Sequence, residues 1–206
     1  MLQRIYQSAR RNSVGSVVNP PATIALAPIP KYNRATTTYY PQIIPKEQRN
    51  TSLIFPLPVP AKITSAFGWR IHPITGSGKM HSGTDIGAPE GTPVLAAYPG
   101  EVEIADWVGG YGLTVILRHE QGTQESRYAH LSEVFVQPKD WVKQGTVIGR
   151  VGSTGMSTGP HLHFEWRYLT SNNGWVAVDA GLHLEYALAN LMDAMQMANT
   201  ETKPQG

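Results

Sequence analysis

VKQGTVIGRVGSTGMSTGPHLHFEW, residues 142–166, carries the pattern that decides the fold. A Gly-Thr turn opens a short apolar strand at Val147–Val151, and a second glycine-rich turn closes it. The next strand, His161–Tyr168, starts directly after Gly159-Pro160. Short apolar runs punctuated by glycine and proline read as β-strands joined by tight turns. The same grammar recurs upstream at Thr92–Ala97, Gly100–Ala105, Leu113–Arg118 and Gln124–Ala129. GTPVLAAYPGEV at 91–102 echoes QGTVIGRVGSTG at 144–155. The expected fold class is therefore all-β, an antiparallel split barrel or sandwich. Around Val115, Ile116 and Leu117 the apolar character is nearly continuous, so that strand is expected to be buried on both faces. The turn grammar also occurs in small barrels that carry biotin or lipoate. Here Gly78-Lys79-Met80 sits in a glycine-rich loop and does not form a carrier turn.

The two ends of the chain read differently. Residues 1–52 hold six prolines, many Thr, Asn and Ser residues and no sustained period. Such a stretch buries too little apolar surface to offset its ordering entropy, so it reads as a disordered tail or linker. From Leu184 through Leu188, Leu191, Met192 and Met195 the spacing is three to four, which predicts an amphipathic helix over Leu182–Asn199. Its apolar face is expected to pack on its own domain, with a protein partner as the alternative. The expected division is a basic Pro-rich tail at 1–52, a folded β domain at 53–180, and a helix and tail at 181–206.

Charge excludes some functions. The chain carries a net charge of +2, but residues 1–50 hold seven Lys/Arg against Glu47 alone. That segment is thus about +6 and the remainder about −4. A core that is not basic argues against nucleic-acid binding. There is no cysteine, which removes disulfides and thiolate metal sites. No apolar run is long enough to span a membrane. The opening MLQRIYQSARRNSVGSVV lacks a signal-peptide core. Two alternatives follow: an export signal already removed, or a chain not exported by that route.

The histidines carry the chemistry. In HLHFEW, residues 161–166, Leu162, Phe164 and Trp166 share one strand face and His161, His163 and Glu165 the other. Strand neighbours i and i+2 are about 6–7 Å apart, so both imidazoles can reach one metal centre and its water. Taken alone, the pair reads equally well as a partly exposed sheet face. Upstream, MHSGTDI at 80–86 sets His81 and Asp85 four residues apart. A straight strand would separate them by about 13 Å, too far for shared zinc coordination, so the pattern needs a bend, and Gly83 between them and the Gly87–Pro89 turn after them make a chain reversal the expected geometry. His130 lies between the two patterns, in RYAHLS at 127–132. Two histidines and one carboxylate make an ordinary catalytic zinc set with a position left for water. Further histidines can act as general base or stabilise an oxyanion. His72, on the loop before the site, is expected to be structural, with a place in the groove wall as the alternative; His119 is expected on the surface, and His183 at the start of the C-terminal helix.

From Ile63 to about Asp179 the chain resembles the catalytic domain of the lysostaphin/LytM-type zinc endopeptidases, the β-lytic metallopeptidase family. The resemblance rests on FGWRIHPITGSGKMHSGTDIGAPEGTPVLAA (67–97), GGYGLTVILRH (109–119), RYAHLS (127–132) and residues 142–166. It implies a Zn2+ site at His81, Asp85 and His163, with His130 and His161 as catalytic histidines outside the ligand set. It also implies an antiparallel β domain with an open groove, peptidoglycan stem peptides as substrate, and a place in the cell envelope, periplasmic or secreted. The loop HPITGSGKMH (72–81) is closer to members acting on directly cross-linked walls. Lysostaphin-like members place an aromatic residue where this chain has Thr75 and Gly76, so a D,D-endopeptidase is expected. Three other readings are a catalytically silent relative that activates other hydrolases, a wall-binding module, and a structural zinc site with Glu165 as fourth ligand.

Overall fold

The computed structural model describes residues 53–172 and 174–201, so the expected tail at 1–52 lies outside the described residues. Twelve strands are present among them: β1 Lys62–Ser65, β2 Gly68–Ile71, β3 Gly78–His81, β4 Thr84–Gly87, β5 Pro93–Leu95, β6 Gly100–Val108, β7 Gly112–His119, β8 Gln124–Val134, β9 Trp141–Val142, β10 Val147–Val151, β11 His161–Thr170 and β12 Gly174–Val178. One helix follows, α1 Gly181–Glu201. All six expected strands occur; β6, β7, β8 and β11 extend further than expected, and β5 is shorter than the expected Thr92–Ala97. The sequence reading missed β1 to β4, β9 and β12, which are short and interrupted by glycine and polar residues.

Every strand pair is antiparallel. The spine of the large sheet runs β1-β4-β11-β8-β7-β6-β9, and β10 joins it through β8. β2 and β3 leave this sheet and form a separate two-stranded hairpin. The large sheet encloses one core, in which Leu162 and Phe164 of β11 meet Val94, Val102, Val115, Leu117 and Ile148. The expected two-sided burial of β7 is present: Val115, Ile116 and Leu117 are all buried. Tyr128 is fully buried, and its hydroxyl accepts the Ala97 N–H at 2.8 Å.

β8 changes partner midway. Up to Ala129 it pairs with β11, and from Leu131 it pairs with β10. Against β7, the register slips between Leu113↔Leu131 and Val115↔Tyr128, so a bulge falls at Ala129–His130. His130 sits there with φ +60. A left-handed backbone is costly for a residue with a Cβ and persists where the surroundings over-determine it.

α1 caps the fold with half of its apolar stripe. Leu184 and Ala187 are buried, and Leu188 and Leu191 pack against the core. The expectation that the stripe packs on its own domain holds that far and fails at Met192 and Met195, which stand exposed beyond the core with Met197. At the helix start, the Gly181 N–H donates to Asp179 Oδ1 at 2.8 Å, and a carboxylate suits that end of the helix dipole.

Candidate metal centre

His163 lies on β11 directly opposite Asp85 of β4, so the sheet register itself places these two side chains together. His81 comes from the other sheet. It ends β3, and the Ser82-Gly83 link turns the chain into β4, which is the reversal that the four-residue spacing requires. Gly83 is the residue that permits it. A Cβ there would fall 2.6 Å from both His163 Cε1 and the Phe164 carbonyl oxygen, closer than real Cβ contacts allow.

Three donor atoms converge. His163 Nδ1 is 2.8 Å and His81 Nε2 3.1 Å from Asp85 Oδ1, and the two ring nitrogens are 3.2 Å apart. All three residues are buried. The far sides of the rings decide what the near sides can be. His81 Nδ1 faces the Ala66 carbonyl at 2.8 Å, and a carbonyl can only accept. His163 Nε2 faces Glu165 Oε1 at 3.1 Å, again an acceptor. Neutral rings therefore carry their protons on the far nitrogens and aim lone pairs at each other and at a carboxylate. Three convergent lone pairs repel unless a cation lies between them. Donors about 2.0–2.1 Å from zinc stand roughly 3.3 Å apart, so the residues present fit that ion.

Glu165 is not a fourth donor, contrary to the alternative weighed from sequence. It grips the opposite edge of His163 and is itself 1% exposed. Its Oε1 accepts from Ser82 Oγ at 2.5 Å and from the Tyr111 hydroxyl at 2.8 Å, and Arg127 lies 3.2 Å from Oε2. Burial alone would raise its pKa; the hydrogen bond from His163, with Arg127 and Ser82, holds it down at about 2. A carboxylate behind a ligating histidine fixes its tautomer and orientation. Burial likewise pushes the Asp85 carboxyl up, but the two histidines outweigh it and keep it ionised. Its Oδ2 takes a bond from Arg70 at 3.2 Å.

The two further histidines stand beside this triangle and outside it. His161 Nε2 is 3.7 Å from Asp85 Oδ1, while its Nδ1 lies 2.8 Å from the Gly159 carbonyl. His130 Nδ1 lies 2.7 Å from the Thr154 carbonyl, and its ring centre is 4.8 Å from that of His161. Each ring thus donates through Nδ1 to a backbone carbonyl. Burial depresses the His130 pKa to about 4, so this ring is neutral in ordinary buffer. The site forms part of the lining of an open groove of about 790 Å³. Its walls are the β2–β3 hairpin, including His72, and the segments around Tyr111 and Met156.

His119 corrects the sequence reading. It is 2% exposed, not on the surface. Its ring stacks on Trp166 at 5.0 Å and bonds the Pro99 carbonyl through Nδ1. His183 lies in the first turn of α1, as expected, and is exposed. Sequence reasoning had no means of finding Ser82, Tyr111 and Arg127 as partners of Glu165, since they come from three separate segments.

Residues 79–180 match the family described as Peptidase family M23. A DD-carboxypeptidase/endopeptidase, Mpg, of Neisseria meningitidis is 51% identical over 106 residues, which cover 52% of this chain and 24% of that protein. The matched part is thus about a quarter of the relative's length. Among solved structures, the catalytic domain of the antimicrobial peptidase lysostaphin from Staphylococcus simulans superposes with a TM-score of 0.55 at 36% identity, covering 61% of this chain and 92% of that one. A zinc-containing peptidase from Vibrio cholerae gives 0.54 at 34%, covering 63% and 39%. The likeness to the lysostaphin domain runs over nearly all of that domain, and the chain belongs to peptidase family M23.

Proposed function

We propose that this chain is a zinc-dependent endopeptidase that hydrolyses peptide cross-links of the bacterial cell wall, of the D,D type, working in the cell envelope outside the cytoplasm. Residues 53–180 form its catalytic unit. His81, Asp85 and His163 hold the ion, and His130 and His161 are the catalytic histidines. The observation that carries this reading is the convergence of three buried lone-pair donors beside His130 and His161 in an open groove. The D,D assignment rests on the likeness to a relative named for that activity. Among the described residues no helix is long and apolar enough to cross a membrane.

A zinc ion held there supplies Lewis acidity, polarising a scissile carbonyl and acidifying water. The chain's own residues do the rest. The groove, between the β2–β3 hairpin and the segments around Tyr111 and Met156, orients an extended peptide over the start of β11. His130 and His161 flank the site, so one of them accepts the proton of the attacking water and, as an imidazolium, hands that proton to the leaving amine, while its N–H stabilises the negative charge that develops in between. The Thr154 and Gly159 carbonyls hold the two rings through Nδ1.

The test is digestion of purified directly cross-linked and glycine-bridged walls by the zinc-loaded chain, with products identified by mass. Release of stem peptides from the directly cross-linked wall is expected. His130→Ala and His161→Ala should each keep their zinc and lose about 10²–10⁴-fold in rate. Cleavage confined to glycine bridges would overturn the D,D assignment. Near-wild-type rates in both variants would remove the two histidines from the chemistry.

A further inference from the structure

The groove is asymmetric in charge. Its lining residues with a formal charge are Arg70, Lys79 and Asp85. Asp85 is the one acid, and its carboxylate is already engaged by His81, His163 and Arg70. The opposite wall, around Gly110, Tyr111, Met156 and Thr158, carries no charge. A zinc ion beside Asp85 makes the balance more positive still. A low-dielectric cleft lined by one sign of charge draws ligands of the other.

The β2–β3 hairpin sets where that charge points. Arg70 pairs with Lys79, and Gly68 with His81, so Arg70, Lys79 and His81 share one face of the hairpin. Trp69 and Met80 share the other face. Lys79 therefore stands two residues from a metal donor on the same side of the same strand, about 6–7 Å along it. Arg70 is committed to Asp85. Among the described residues no acid lies within ion-pair distance of the Lys79 ammonium, and Lys79 is exposed.

We infer that Lys79 is a specificity residue, which binds a free carboxylate of the peptide substrate on the hairpin side of the scissile bond. The inference rests on the cell-wall peptidase reading above and narrows its substrate. Two carboxylates near a direct cross-link have the required chemistry: that of the diamino acid residue and the terminal one of an uncapped strand. A glycine bridge offers neither beside its scissile bond.

The experiment uses the zinc-loaded full chain and synthetic stem peptides N-methylated at the scissile amide, so that they stay whole. One peptide has both carboxylates free; two others have one or the other amidated. Binding is measured by calorimetry for wild type and Lys79→Met. Amidating the recognised carboxylate should weaken wild-type binding about 5- to 20-fold. Lys79→Met should lose a similar factor on the free peptide and almost nothing on the amidated one, the non-additivity of a direct pair. Which amide matters identifies the source of the carboxylate. Equal binding of all three peptides by wild type, or the same loss on all three in the variant, overturns the inference. Cleavage of the unmethylated peptides is scored separately. Carboxylate-selective binding without cleavage supports the subsite and sinks the hydrolase reading; cleavage without selectivity does the reverse.

Discussion

His119 and His163 are both almost fully buried histidines at the ends of the same sheet, yet their surroundings push them in opposite directions. At the end of β7, His119 sits among Tyr98, Trp166 and backbone, and burial pushes its pKa down to about 4. On β11, burial also pushes His163 down, but hydrogen bonds to Asp85 and Glu165 overcome it, and its pKa is raised. Burial makes a histidine neutral; flanking carboxylates make it a site for positive charge. A proton can meet that demand, and so can a metal ion. The comparison separates a packing histidine from a candidate ligand without reference to any motif.

The largest effects should fall on the side with carboxylates. His163→Ala and Asp85→Ala should each lose zinc affinity by more than about 100-fold, because two remaining donors do not make a stable site. His119→Phe should keep its zinc. Metal content after dialysis against a weak chelator checks both, and zinc retained in His163→Ala or lost in His119→Phe breaks the comparison.

A smaller effect should come from one shell further out. Glu165→Gln removes the charge behind His163 while keeping the shape. Zinc affinity should fall about 10–100-fold, measured by chelator competition, with the circular dichroism spectrum unchanged. Unaltered affinity would mean that the Ala66 carbonyl and sheet register suffice to hold the ligands.

The smallest effect concerns His119 and pH. Its folded pKa of about 4 lies below the ordinary 6.5. The unfolded chain therefore takes up a proton that the folded one refuses. The resulting stability is complete above about pH 6.5 and is lost as pH falls from there towards about 4, on the order of 3 kcal/mol in all. Urea midpoints of the zinc-free chain and of its His119→Phe variant, compared across that range, isolate this histidine. The variant should show the shallower slope; parallel slopes would show that His119 is not the group titrating.

How far the sequence carried can be read from these residues. HLHFEW revealed its own two faces because strand alternation is local. The His81–Asp85 spacing demanded a bend, and Gly83 supplied it. Other features depended on distant segments. His119 looked superficial because it precedes a turn, and only Trp166, Ser126 and Pro99 bury it. Glu165 looked like a spare ligand because its partners lie 83, 54 and 38 residues away in sequence, at Ser82, Tyr111 and Arg127. The positive φ of His130 follows from a bulge that arises only when β8 meets β7. The β2–β3 hairpin escaped notice because its exposed Trp69 and Ile71 follow no core-facing pattern.

That hairpin has one more consequence. It contributes His81, while the large sheet contributes Asp85 and His163. An ion bound by all three joins two units that the hydrogen-bond ladders leave separate. Opening of the hairpin and release of the ion then become a single cooperative event. Amide exchange in β2 and β3 should slow when zinc is added, while exchange deep in β7 and β8 follows global unfolding alone. With the ion held by all three, its retention and the local breathing of the hairpin would be two readings of one equilibrium.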